Sequence, residues 1–121
     1  MSSATITKLD SLVFDSDTHV VEPPDLWSSR LPAKLRDSGP EVRWDEGRGL
    51  EAWFIDGECL MPVGAPALAG WHEHAPLFPR RWSEVDSVMW DPNARLARMD
   101  ADGIQAQVLY PKPGSLQRLD D

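Results

Sequence analysis

The sequence predicts an α/β fold: two parallel strands joined through a helix, with a small antiparallel hairpin inserted between them. Three observations carry this. An apolar run at Leu12, Val13 and Phe14 turns abruptly ionisable at Asp15, Asp17 and His19. A well-signalled helix from Asp91 to Gly103 leads into a second apolar run, Ile104 to Tyr110. Between them, two stretches rich in β-formers flank Asp56-Gly57, a strong hairpin-turn pair.

Residues 1–10 are polar and read as a disordered lead-in without the apolar stretch of a signal peptide. Residues 11–19 read as the first strand, closed after Glu22 by Pro23-Pro24, because proline cannot donate to a ladder. Asp25 to Arg30 and Ala33 to Asp37 each read as one or two helical turns or as irregular loop. Pro24 and Pro32 sit where a first helical turn tolerates proline.

Residues 41–63 read as a meander: Glu41 to Trp44, Glu51 to Ile55, and Glu58 to Val63 returning after the turn. Residues 64–82, rich in Gly, Pro and Ala, read as loop. Asp91 is a good N-cap, Pro92 suits the first helical position, and Gly103 can end the helix in a left-handed conformation. Leu96, Ala97 and Met99 lie at helical spacing on one face. Ile104 to Tyr110 then reads as a buried strand stopped by Pro111, and residues 112–121 as a polar tail. A strand–crossover–strand unit implies parallel pairing, and parallel sheets are normally buried on both faces.

Composition bounds the function. The chain has 121 residues, 12 basic against 20 acidic, and a net charge of −8. That argues against nucleic-acid and anionic-membrane partners, which need a positive footprint. No apolar run approaches the ~20 residues that span a bilayer. Cys59 is the sole cysteine, so no intrachain disulfide can form, and a cytoplasmic location is expected. Six tryptophans are read as packing residues.

The chemistry concentrates at the end of the first strand. Asp15, Asp17 and His19 are spaced by two, which on a regular strand puts them on one face. A divalent cation would offset the cost of gathering them, because carboxylate and imidazole are natural ligands for zinc. Glu22 could add an acidic group to the rim. The other reading is a solvated strand end with His19 hydrogen-bonded to a carboxylate. A second His-x-His, His72 and His74, lies in the loop and reads as solvated, since a flexible loop is a poor metal scaffold. Neither a phosphate-binding glycine loop nor a Gly-x-Ser-x-Gly elbow is present. Cys59, inside the hairpin, reads as a small buried hydrophobe.

The stretch Asp15-Ser16-Asp17-Thr18-His19-Val20-Val21-Glu22-Pro23-Pro24-Asp25-Leu26-Trp27 resembles the first-strand motif of the amidohydrolase superfamily. It is most similar to the amidohydrolase 2 branch, related to aminocarboxymuconate-semialdehyde decarboxylase. The stretch from Asp91 to Ile104, with Val108 to Pro111, resembles that branch's first long helix and second strand. The resemblance implies a (β/α)₈ TIM barrel, of which residues 11–111 would be an N-terminal part covering roughly a third, so that the barrel is incomplete. It implies a metal held by Asp17 and His19, where the family usually has His-x-His, with zinc expected and Mn²⁺ or Mg²⁺ also compatible with this shell. Asp15 and Glu22 would stand at the rim or behind the ligands, and Trp27 near the barrel mouth. The family's later histidines and late aspartate have no counterpart here, so no catalytic residue is identified. The implied function is that of a hydrolase or non-oxidative carboxy-lyase on a small carboxylated substrate, inactive as this fragment. The rival reading is a non-enzymatic acidic α/β module that binds a partner or a second copy of itself. An incomplete parallel sheet has open edges that would invite such pairing, and a third reading is that the fragment hardly folds, leaving apolar surface exposed.

Overall fold

The computed structural model describes residues 11–111, so the lead-in and tail readings lie outside the described residues. The chain is an α/β protein with two separate sheets. Strand β1 (Phe14–Val20) is followed by two short helices, α1 (Leu26–Arg30) and α2 (Ala33–Arg36). Strands β2 (Glu41–Asp45), β3 (Leu50–Ile55) and β4 (Glu58–Pro62) form the meander, and helix α3 (Pro92–Asp102) leads into β5 (Ala106–Pro111). No closed barrel is formed by the described residues.

The meander follows from its turn chemistry. Asp56 and Gly57 both take positive φ, 49° and 79°, the backbone twist that a two-residue hairpin loop requires. β2 and β4 pair antiparallel with β3 on its two edges. Arg43 lies over Phe54, 4.2 Å from its centroid, and Arg81 over Trp44 at 4.1 Å, adding cation–π attraction across the outer surface.

The hydrophobic core lies under this meander. Val21, Trp53, Val63, Ala67, Val85, Val88 and Met89 are buried together, with Trp27 and Trp82 packed against them. The segment 64–82 is irregular as expected, yet it is tied down. Glu51 donates its backbone N–H to the Arg80 carbonyl at 2.7 Å, and its carboxylate accepts the Trp82 N–H at 2.6 Å. At Gly64 a Cβ would collide with the carbonyl of Pro79, and Val63 and Pro79 are fully buried on either side of that crossing. Two single-turn 3₁₀ helices, Trp82–Glu84 and Ser87–Met89, continue the segment.

Helix α3 forms where its end signals put it. The Asp91 carboxylate accepts the Asn93 N–H at 2.8 Å, Pro92 opens the helix, and Gly103 closes it at φ 74°. Its packing differs from expectation. No residue of α3 is buried, Leu96 is 59 % exposed and Ala97 is exposed. The helix packs beside the second 3₁₀ helix with Ala94 and Met99 half-buried, and polar ties run through Arg95 to the strands and Arg98 toward Asp86.

β1 and β5 pair in parallel, from Phe14 opposite Ala106 to Val20 opposite Pro111. The expectation that Ile104 to Tyr110 forms a buried strand is corrected: the strand is Ala106–Pro111, and Val108, Leu109 and Tyr110 are each nearly half exposed. Two strands without further strand neighbours are too few to exclude water from both faces. None of the described helices is long and apolar enough to cross a membrane.

Candidate functional site

The site is built at the C-terminal end of β1, where alternation is interrupted. Asp15 pairs with Gln107, but the next pairing is Thr18 with Leu109. Three steps on β1 match two on β5, so β1 carries one extra residue, a β-bulge. Its local cause is aspartate chemistry: Asp15 Oδ1 accepts the backbone N–H of Asp17 at 3.1 Å, an Asx-type turn that satisfies this amide outside the ladder. The Thr18 hydroxyl donates to the Val108 carbonyl at 2.8 Å and fastens the bulge to β5.

The bulge changes which residues share a face. Asp15 sits with Thr18 and Val20, all half-buried, while Asp17 and His19 project from the more exposed side. The expectation of Asp15, Asp17 and His19 on one face is therefore corrected, because the extra residue shifts the two-residue period by one. Asp15 acts on the site through the backbone of Asp17. Asp-Ser-Asp is turn chemistry, and that signal was present in the sequence.

Asp17 and His19 are brought together. Asp17 Oδ1 and His19 Nε2 are 3.3 Å apart, with the side chains 78 % and 49 % exposed. This is longer than the ~2.9 Å typical of an N–H···O bond. It is close to the roughly 3.4 Å that separates two donors on a tetrahedral zinc with bonds near 2.1 Å. The donor types and spacing thus fit two positions of a metal shell. They also satisfy the solvated reading, in which His19 leans on a neighbouring carboxylate. Tyr110, opposite His19 on β5, sets its ring 6.1 Å from the imidazole at a 45° tilt.

The wider ligand set is not assembled. Among the described residues no group of three or more His, Cys, Asp or Glu side chains is placed to hold a metal ion. Glu22 is half-buried just beyond β1 and does not join Asp17 and His19 in such a group. His72 and His74 are exposed in the irregular segment and form none either. Cys59 is half-buried rather than buried, and its sulfur accepts from the Arg48 guanidinium at 3.0 Å. Trp27 packs against the core with its indole N–H buried and without a hydrogen-bond partner.

Two arginines of α3 complete the surroundings and were not read as site residues from the sequence. Arg95 donates to the His19 carbonyl at 2.8 Å and to Gln107 Oε1 at 3.1 Å. Arg98 approaches Asp86 Oδ2 at 3.9 Å. Their positions, 76 and 79 residues after His19, become neighbours of it only through the parallel pairing. Compared with known proteins, the chain matches no family model and no curated protein.

Proposed function

We propose that the chain is part of a metal-dependent enzyme of the amidohydrolase type, with Asp17 and His19 as two ligands of a divalent cation. The observation that carries this is the pair itself: a carboxylate and an imidazole, 3.3 Å apart, at the carboxyl end of a strand in a parallel pair. In open and closed α/β sheets that end is where ligands bind. Zinc suits the donors best, and manganese or magnesium would also be accepted. The cation would lower the pKa of a bound water for hydrolysis, or polarise a substrate losing carbon dioxide.

The residues of this chain have narrower tasks. Asp17 supplies the anionic donor, and His19 the neutral one. Asp15 and Arg95 hold the backbone on either side, at the Asp17 amide and the His19 carbonyl. The reaction is hydrolysis or non-oxidative decarboxylation of a small carboxylated substrate. Residues 1–121 alone are expected to be inactive. The test is metal binding by the chain: zinc or manganese should raise its melting temperature, and Asp17→Ala or His19→Ala should remove that response. An unchanged response in both variants would refute the assignment.

A second reading has its own support. Leu12, Phe14, Val108, Leu109 and Tyr110, on or beside the β1–β5 pair, are 45–68 % exposed. An apolar surface beside open strand edges is what an interaction or self-association module would present.

A further inference from the structure

We infer that Arg98 is the anion-recognising residue of the cleft beside Asp17 and His19, receiving the carboxylate of a small, partly apolar ligand. This rests on reading Asp17 and His19 as the centre of the site. The cleft has a volume of about 320 Å³. Asp17 and His19 stand in one wall, Arg95 and Arg98 in another, and Leu68 and Met89 contribute apolar lining. That volume is at the small end of ligand clefts, which run from roughly 300 to 1,000 Å³, and suits a molecule of about one ring.

The two guanidinium groups are not equivalent. Arg95 is committed to the fold, because Nη2 donates to the His19 carbonyl and Nη1 to Gln107. Arg98 is 52 % exposed, and its ion-pair partner Asp86 lies 3.9 Å away, beyond hydrogen-bond reach. Asp86 already uses Oδ1 to accept the Val88 N–H at 2.9 Å. Asp86 therefore draws the arginine toward the cleft wall without saturating its donors. A planar guanidinium with donors available matches a carboxylate in bidentate fashion. In the metal-free chain the Asp17 carboxylate disfavours an anion on its own side, so the ligand's charged end belongs at Arg98. Its apolar part then covers Leu68 and Met89.

The experiment is an NMR-detected titration of the 1–121 chain with benzoate and, separately, neutral benzamide, in the presence of a chelator. Benzoate should bind at least about tenfold tighter than benzamide and shift the amides of Leu68, Met89 and Arg98. Arg98→Met should weaken benzoate about tenfold or more, the loss of about one charge-assisted hydrogen bond. Arg98→Lys keeps the charge without the fork and should fall between the two. Equal binding of benzoate and benzamide would overturn the inference, as would wild-type affinity in both Arg98 variants. Because no free metal is present, this outcome is independent of the zinc response by which Asp17 and His19 are judged.

Discussion

The guanidinium of Arg95 donates to the backbone carbonyl of His19 at 2.8 Å and joins the helix to the strand end that carries the candidate ligands. The same side chain reaches Gln107 on β5, so one residue spans α3, β1 and β5. Arg95→Met should therefore lower stability by about 1.5–3 kcal/mol, the usual range for losing a hydrogen bond to a charged group. Urea unfolding of both chains at one temperature measures this. A loss below about 0.3 kcal/mol would show that the contact contributes little.

Zinc at about one hundred times its dissociation constant should stabilise the folded chain by about 2.7 kcal/mol. Asp17→Ala and His19→Ala should abolish the effect, while a His72→Ala/His74→Ala double variant should keep it. Thermal melts with and without zinc distinguish the pairs. A response that follows His72 and His74 would move the metal to the loop.

The location of the core is tested by two truncations. Val63 is fully buried, so Val63→Ala should cost roughly 2 kcal/mol in transfer and cavity terms. Leu96 is 59 % exposed, so Leu96→Ala should change stability by less than about 0.5 kcal/mol. Equal losses would mean that α3 packs more closely than described.

Gly64 should be among the least tolerant positions. An added methyl group would meet the Pro79 carbonyl, which is backbone and cannot swing aside. Gly64→Ala should cost about 3 kcal/mol or more, whereas Gly57→Ala, with open space but φ of 79°, should cost about 1 kcal/mol. Denaturant midpoints would rank the two, and the reverse order would contradict this account of the loop.

The exposed apolar surface of the β1–β5 pair makes a hydrodynamic prediction. The chain should associate reversibly as its concentration rises, and a Phe14→Lys/Val108→Lys double variant should remain monomeric. Sedimentation velocity over a hundredfold range of concentration reads both. A wild-type chain that stays monomeric throughout would remove the support for the self-association reading.

Local chemistry made much of the fold legible. Asp91, Pro92 and Gly103 delimited α3, and Asp56-Gly57 placed the hairpin, because caps and turns are decided by residues adjacent in sequence. The proximity of Asp17 and His19 was legible for a similar reason, since they lie two residues apart on one strand. Strict alternation misplaces Asp15 because it ignores a side chain that captures a neighbouring amide. The burial of Ile104 to Tyr110 was overestimated because apolar composition records what could be covered, and coverage depends on neighbours.

The order of elements, the turn and cap positions, and the adjacency of a carboxylate and an imidazole at the end of β1 could all be read from the residues in order. Three features emerge only on folding: the core lies under the meander, a bulge separates Asp15 from its expected partners, and Arg95 and Arg98 stand beside His19. The physical reason is range. Caps, turns and i,i+2 spacing are fixed within a few covalent bonds, whereas burial and the meeting of β1 with α3 depend on a pairing between segments about ninety residues apart.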